Sequence, residues 1–223
     1  MISAVTESIP FERQQDSRSC GAAALCMIYR SLGHSCNQSD VWQRITRPGP
    51  WGAPRTNTKQ LCADAIMQNL AALTLMARQP WPLLRQCASE GIRVILNHRL
   101  RNDSAVGHYS VLVRIDDEHI DLHDPSGQPE RRLSKTELLE LWQPPRGRSE
   151  IAGHVLLAVT AKALTGKCTL CGEKTPALIT CPGCRATIHL QPAAVLGCGA
   201  SRCPGRLWDR LFCPRCDRPV FNL

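Results

Sequence analysis

The chain has 223 residues, of which 43% are hydrophobic, and a formal net charge of +8 at pH 7. This length suits one domain of ordinary size with a small appendage, and no apolar run reaches the ~18 residues that a membrane span needs. The N-terminus lacks the basic start and apolar core of a secretory signal, so we expect a cytoplasmic protein without a membrane span.

Helices are predicted in the first half of the chain. Residues 20–32 have apolar side chains at helical spacing, a serine able to cap the start (Ser17 or Ser19), and Gly33 just after the end. Residues 48–54 are predicted to form a loop. The remaining predicted helices of this half span residues 37–45, 58–69 and 81–90.

After Gly91 the hydrophobic period changes to two, which is typical of strands. Ser134 and Glu137 form a capping-box pattern that opens a further helix. Helices followed by strands predict an α+β fold, with N-terminal helices packed on an antiparallel sheet. The predicted strands span residues 92–97, 107–115, 119–123 and 154–160.

Cys20 is the first residue of the predicted helix 20–32. A thiol there lies against unpaired backbone N–H groups and the positive end of the helix dipole, and both favour the nucleophilic thiolate. Gly21 leaves room for a substrate backbone beside the sulfur. Four other cysteines lack these features, and we expect them to be packing residues: Cys26, Cys36, Cys62 and Cys87.

A thiolate nucleophile needs a base, and the predicted hairpin supplies one. With the turn at Asp116-Asp117, antiparallel pairing places His108 near Asp124. Asp124 could then orient the imidazole of His108. Gln14 precedes Cys20 by six positions, and its amide could help the Cys20 N–H bind an oxyanion.

The run Gln14-x-Asp16-x-x-x-Cys20-Gly21 resembles the N-terminal motif of the bacteriocin-processing, double-glycine leader peptidases, which are papain-like. The segments Gly107-His108-Tyr109 and Asp124-Pro125-x-Gly127 resemble the His and Asp motifs of that family. The resemblance covers roughly residues 10 to 160. It implies Cys20 as nucleophile, His108 as base, Asp124 as orienting acid and Gln14 as oxyanion-hole donor, and cleavage after small residues, typically Gly-Gly.

Several features leave alternatives open. Gln15 follows Gln14, so the oxyanion-hole role could shift by one position, and His123 competes with His108 for the role of base. Ser19 stands where the family often has an acidic residue. An acyl or peptidyl transferase on the same triad and a non-catalytic adaptor that binds a protein through its tail are the alternatives to a peptidase.

The last sixty residues hold eight of the thirteen cysteines, arranged in four pairs. Cys-x-x-Cys turns present two sulfurs to one tetrahedral ion, and closed four-thiolate sites favour zinc. We therefore predict two structural zinc ions in a zinc-ribbon-like domain at residues 163–223, which follows a peptidase domain at residues 1–162. The predicted ligands are Cys168, Cys171, Cys181, Cys184, Cys198, Cys203, Cys213 and Cys216.

Sequential pairing of the cysteine pairs is the preferred arrangement, with Cys168, Cys171, Cys181 and Cys184 on one ion; a cross-braced arrangement of alternate pairs is the alternative. A tail of this size cannot fold on its apolar core alone, so the zinc is structural. Three apolar residues of the tail could offer a contact surface to a protein partner, or pack against the peptidase domain (the front domain, residues 1–162): Trp208, Leu211 and Phe212.

The positive charge first suggests nucleic acid. Each zinc held by four thiolates carries a net charge of −2, however, so two sites would halve the excess. The sequence also shows no Lys/Arg run with interleaved aromatic residues. We expect a peptide or protein substrate, and no nucleic-acid partner.

Overall fold

The structure is a computed structural model and describes residues 8–49, 52–101, 104, 106–144, 151–161, 164 and 166–220. The fold is α+β, as predicted: five helices lie against a large antiparallel sheet in the described part of the chain. No helix within the described residues is both long and apolar enough to cross a bilayer.

The helices are α1 (Cys20–Ser31), α2 (Gln38–Ile45), α3 (Thr58–Met67), α4 (Pro80–Ser89) and α5 (Lys135–Leu141). Their starts follow local side-chain chemistry. Asn37 caps α2 through its side chain, and Asn57 forms a capping box at the start of α3. The capping box of Ser134 and Glu137 opens α5 as predicted.

Eight strands form the main sheet, in the order β12-β11-β3-β8-β4-β5-β6-β7, and every neighbouring pair is antiparallel. Two short hairpins, β1–β2 and β9–β10, lie outside it. The strands are β1 (Arg47–Pro48), β2 (Pro54–Arg55), β3 (Ala71–Ala77), β4 (Arg93–Arg99), β5 (Gly107–Ile115), β6 (His119–His123), β7 (Arg131–Ser134), β8 (Val155–Thr160), β9 (Leu178–Thr180), β10 (Thr187–His189), β11 (Trp208–Phe212) and β12 (Pro219–Val220).

The two faces of the sheet carry two hydrophobic cores. One core joins α1, α2 and α3 to sheet residues that include Ile95 and Val111. The other joins α4 and α5 to tail residues that include Trp208 and Leu211, both about 1% exposed. Trp208 and Leu211 therefore pack against the rest of the chain and do not offer a contact surface to a protein partner.

The tail continues the sheet of the front domain. β11 pairs with β3, with Leu211 opposite Leu75, and β12 pairs with β11. The sheet thus crosses the predicted boundary between residues 162 and 163, and the division into two domains stays a prediction.

The predicted loop 48–54 contains the ends of β1 and β2; Pro50 and Trp51 lie outside the described residues. A strand is also present where the sequence pattern predicted none. β3 lies between β8 and β11, and five of its seven residues are buried. A strand covered on both faces shows no alternation of polar and apolar residues, so the period-two pattern is absent.

Candidate active site

Cys20 is the first residue of α1 and is 8% exposed. Ser19 is the N-cap residue, but its side chain makes no capping hydrogen bond. Its hydroxyl instead accepts a hydrogen bond from the Asp16 N–H at 3.0 Å, so the expected serine cap is wrong. The N–H groups of the first turn consequently lack a side-chain cap close to the Cys20 sulfur, and such groups favour an anion.

The chain is tightly packed beside the sulfur. A Cβ added to Gly21 would lie 3.1 Å from Thr56 Oγ1 and 3.3 Å from Tyr109 Cδ2. The Tyr109 hydroxyl lies 3.2 Å from Thr58 Oγ1, which links β5 to the start of α3. A side chain at position 21 would push these walls apart, so glycine fits the contact between α1 and β5.

His108 and Asp124 meet across the β5–β6 hairpin. His108 Nε2 donates a hydrogen bond to Asp124 Oδ1 at 2.7 Å, and both side chains are buried. The Cys20 side chain also interacts with the His108 ring. Since Asp124 occupies Nε2, Nδ1 is the nitrogen left for the sulfur. The three predicted side chains are thus brought together in the order thiol, imidazole, carboxylate.

Electrostatics favour the charged form of His108. Burial alone would lower its pKa, but the hydrogen bonds to Asp124 and Cys20 outweigh this effect and raise the pKa to about 9. Burial would likewise raise the pKa of Asp124, yet its hydrogen bonds to His108 and Ser126 hold that pKa well below its usual range. An imidazolium beside a carboxylate is therefore the stable state of this pair at neutral pH.

Asp124 has two further partners that the sequence pattern did not identify. The hydroxyl and the N–H of Ser126 both donate to Asp124 Oδ1, at 2.8 and 3.0 Å, and Arg131 Nη1 donates to Oδ2 at 3.1 Å. The Asp-Pro-Ser-Gly turn carried a signal for Ser126, because an aspartate often bonds to the backbone two residues later. Arg131 is on β7, and no local pattern linked it to Asp124.

His98 lies behind His108 and was also not identified. The two rings make an edge contact with centroids 5.7 Å apart. The N–H at Nδ1 of His98 donates to the Arg99 carbonyl at 2.7 Å, and Nε2 accepts from the Ser110 hydroxyl at 2.9 Å. Burial lowers the pKa of His98 to about 4, so this ring is neutral and supports His108 by packing.

Gln14 is in the loop that leads into α1. Its Nε2 donates to the Asp16 carbonyl at 2.7 Å, and its backbone N–H donates to the Pro125 carbonyl at 3.0 Å. The second bond ties this loop to the turn that carries Asp124. Gln15 is held elsewhere, because its Oε1 accepts from the Ser39 hydroxyl on α2 at 3.0 Å.

His123 has a different set of partners. Its Nε2 donates to the Ile9 carbonyl at 2.8 Å, and its Nδ1 accepts from the Glu130 N–H at 3.1 Å. With both nitrogens bonded to the backbone, this ring anchors the N-terminal segment.

The other cysteines of residues 1–162 are either buried free thiols or joined in a disulfide. Burial raises the pKa of Cys62 to about 12 and raises that of Cys87 further, which leaves two inert thiols. Cys26 and Cys36 form a disulfide with their Cα atoms 5.6 Å apart. The expectation that these two are separate packing residues is therefore wrong.

The tail cysteines gather into two groups of four, and the sulfurs of each group lie within 4.8 Å of one another. One group is Cys168, Cys171, Cys198 and Cys203; the other is Cys181, Cys184, Cys213 and Cys216. Each group joins alternate pairs, so the preferred sequential pairing is wrong and the cross-braced alternative is correct. Strands lie between cysteine pairs that are adjacent in the sequence: β9 before Cys181, β10 after Cys184, and β11, which pairs with β3, before Cys213.

The two groups fit a tetrahedral thiolate site. Four sulfurs about 2.3 Å from a zinc ion lie about 3.8 Å from one another. The observed separations are 3.8 Å for Cys168 to Cys203 and 3.6 Å for Cys184 to Cys213. Backbone N–H groups, that of Cys171 first, lower the pKa of the Cys168 thiol to about 6, which favours the thiolate that a metal binds.

A buried thiol at a helix start, paired with a histidine that a carboxylate orients, is the arrangement that cysteine peptidases use. The sequence model of the Peptidase C39 family matches residues 8–145. The chain therefore belongs to the Peptidase C39 family and is a cysteine peptidase. No curated protein matches it.

Solved structures agree with this fold. A C39-like peptidase from Bacillus anthracis is 12% identical with a TM-score of 0.57, and the match covers 73% of this chain and 99% of that one. The peptidase domain of Streptococcus ComA, a bifunctional ABC transporter, is 14% identical with a TM-score of 0.52, and the match covers 70% and 100%. The papain-like fold predicted from the sequence is thus confirmed.

Proposed function

We propose that this peptidase cleaves peptide bonds after small residues such as Gly-Gly, with Cys20 as nucleophile, His108 as acid and base, and Asp124 as the orienting residue. The position of His108 carries the proposal, since its ring interacts with both Cys20 and Asp124. The motifs around these residues resemble those of the double-glycine leader peptidases, and this supports the substrate class.

In the first half of the reaction, the Cys20 thiolate attacks the carbonyl carbon of the scissile bond. The carbonyl oxygen becomes an oxyanion, which the Cys20 N–H and the side-chain amide of Gln14 stabilise. His108, charged at neutral pH because its pKa is raised to about 9, protonates the leaving amine. The C–N bond breaks and a thioester joins the acyl group to Cys20.

In the second half, neutral His108 takes a proton from water, and the resulting hydroxide attacks the thioester. The C–S bond breaks, the peptide leaves as a carboxylic acid, and the thiolate and imidazolium are restored. Asp124 holds the ring through both halves, and Arg131 with Ser126 holds Asp124. No step requires a metal.

We also propose zinc as the metal of the two cysteine groups, with a structural role. Four thiols at tetrahedral separations support zinc over metals that prefer oxygen ligands. Such thiols must stay reduced to bind it, which supports the cytoplasm as the compartment; in that compartment the Cys26–Cys36 pair would be reduced, and the disulfide would form on oxidation. The tail then contributes to recognition of the substrate or of a protein partner.

A thiol-reactive peptide probe ending in Gly-Gly tests the catalytic assignment. Brief treatment followed by mass spectrometry should show a single adduct on Cys20 and two retained zinc ions. The adduct should be lost in His108→Ala and kept in His119→Ala, a matched histidine on β6 whose side chain is 44% exposed. An adduct spread over several cysteines, or one that survives His108→Ala, would contradict the assignment. Release of a free acid in the presence of added amine would favour hydrolysis over acyl transfer.

A further inference from the structure

A cavity of about 360 Å³ lies between the start of α3 and the start of β5, the strand that carries His108. Its lining includes Thr56 and Tyr109, two of the three residues that a Cβ on Gly21 would touch. The cavity also includes Gly107, so both sequence neighbours of His108 on β5 line it. Its volume suits a few residues of an extended peptide.

The tail supplies part of the cavity wall. Phe212 and Asp217 line the cavity, although both lie far outside residues 8–145, which match the peptidase family. Strand pairing explains the position of Phe212, because it is opposite Thr74 on β3, and Thr74 lines the cavity as well. Thr74 is in turn opposite Leu157, a residue of the core on the α1 side of the sheet.

One group of four cysteines flanks both tail residues. Phe212 directly precedes Cys213, and Asp217 directly follows Cys216. Both cysteines belong to the second group, whose remaining members are Cys181 and Cys184. A metal ion there would fix the turn that presents Phe212 and Asp217 to the cavity.

The chemistry of the lining favours particular substrate side chains. Tyr109 and Phe212 offer aromatic surface, and the charged residues of the described lining are Arg55, Lys59 and Asp217. Two cations against one anion leave a net positive wall. Such a wall prefers an acidic or neutral side chain to a basic one.

We propose that the cysteine-rich tail completes the substrate subsite, with Phe212 and Asp217 receiving the residues that precede the scissile Gly-Gly. The inference rests on the proposed function, in which two glycines occupy the positions next to Cys20. Since glycine has no side chain, the residues upstream of it must provide the identity of the substrate, and the cavity lined by Gly107 and Tyr109, the neighbours of His108, is where the structure has room for them.

Peptide binding to full-length, zinc-loaded Cys20→Ala protein tests this without requiring cleavage. Fluorescent Gly-Gly peptides that differ only in the upstream residue (Phe, Glu, Gln or Lys) form one set, and peptides that differ only downstream form a second. Phe212→Ala should weaken binding of the upstream set about ten-fold. Asp217→Asn removes the only anion of the wall within the described lining, so the Glu peptide should bind about three-fold tighter and the Lys peptide about three-fold weaker.

Matched controls are available in the tail. Leu178→Ala changes an exposed apolar residue on β9, and Asp209→Asn changes an exposed carboxylate on β11; neither lines the cavity, and neither should alter binding. Phe212→Leu keeps an apolar residue on β11, and zinc content with melting temperature shows that each variant is folded. If Phe212→Leu binds with an affinity between those of the wild-type side chain and Phe212→Ala, the result supports position 212 as part of the subsite wall. If Phe212→Leu binds as weakly as Phe212→Ala with zinc intact, the result also shows that the wall requires an aromatic side chain.

Two outcomes would overturn the subsite. In one, folded Phe212→Ala and Asp217→Asn bind both peptide sets as their controls do. In the other, only the downstream set responds. Failure of the proposed function is distinguishable, because it appears as absence of cleavage by the Cys20 protein while tail-dependent binding persists in Cys20→Ala.

Discussion

His108 Nε2 lies 2.7 Å from Asp124 Oδ1, although the two residues are sixteen positions apart in the sequence. The β5–β6 hairpin creates this contact, since Val111 pairs with His123 and the chain then turns at Asp124. The carboxylate lets a buried imidazole carry charge at neutral pH. We therefore expect the pH dependence of the enzyme to follow from the hydrogen bonds of His108 to Asp124 and Cys20.

We expect kcat/KM to fall as the pH rises through about 9, because in the proposed mechanism His108 must be charged to protonate the leaving amine, and its pKa is raised to about 9. In Asp124→Asn the hydrogen bond to a charge is lost while burial persists, so the alkaline limb should move down by about one pH unit or more. Asp116→Asn, an exposed carboxylate near the hairpin turn, is the matched control and should leave the profile unchanged. A profile that Asp124→Asn does not shift would show that Asp124 does not tune His108.

The same pKa shift affects folding. The pKa of His108 is raised from its usual 6.5 to about 9 in the folded protein, so its contribution to stability is complete below about pH 6.5 and is lost between about pH 6.5 and 9. The free energy of unfolding of the wild type should therefore decline over this window more steeply than that of His108→Gln. Urea unfolding at several pH values measures the difference, and parallel curves would contradict the charged state of His108.

Gln14→Ala should lower kcat about 100-fold and leave KM nearly unchanged, because an oxyanion-hole donor acts on the transition state. Gln15→Ala is the control, since the Gln15 side chain accepts from Ser39 on α2. Steady-state kinetics on one Gly-Gly peptide compare the two variants. A larger loss of kcat in Gln15→Ala would move the oxyanion-hole role by one position.

Local patterns were sufficient for much of the site. The apolar spacing after Cys20 and the alternation around His108 predicted α1 and the hairpin, and turn chemistry placed Asp124 opposite the histidine. Such features depend on neighbours within one helix or one hairpin. Local periodicity does not predict contacts between elements that are distant in the sequence. The hydrogen bond from Arg131 on β7 to Asp124 is such a contact.

The tail shows the same limit. Four cysteine pairs predicted two four-sulfur groups, but nothing in the spacing distinguishes sequential from cross-braced pairing. The choice depends on β11, which pairs with β3 of the front domain. The buried strand β3 was itself missed, because burial on both faces removes alternation.

The Cys26–Cys36 disulfide links α1 to the segment before α2 and joins residues ten positions apart in the sequence. Loss of the crosslink in Cys36→Ser should lower the free energy of unfolding by about 3 kcal/mol without reductant, since the unfolded chain regains the entropy of the loop that the disulfide closes. With reductant, wild type and variant should unfold alike. Equal stability under both conditions would show that the pair is not crosslinked. A reduced pair in protein isolated with its thiols trapped would agree with the cytoplasm.

Metal content separates the two pairings of the tail cysteines. Wild-type protein should bind two zinc ions per chain, one in each group of four. In the double variant Cys171→Ser with Cys198→Ser, both changes fall in one cross-braced group, so one ion should remain. In Cys171→Ser with Cys181→Ser the changes fall in different groups, and both ions should be lost or weakened.

Native mass spectrometry counts the ions, and cobalt substitution reports whether four thiolates surround each remaining ion. Sequential pairing would exchange the two results, with both ions lost in Cys171→Ser with Cys198→Ser and one retained in Cys171→Ser with Cys181→Ser. The control is Cys87→Ser, which removes a buried thiol outside both groups and should keep two ions.

The second group of cysteines should also stabilise the pairing of β11 with β3. β11 ends at Phe212, directly before Cys213, so loss of the ion at Cys213 and Cys216 should loosen this pairing. Faster hydrogen exchange at β11 in Cys216→Ser than in Cys168→Ser would measure that loosening, and equal exchange would show that the second ion does not hold the strand.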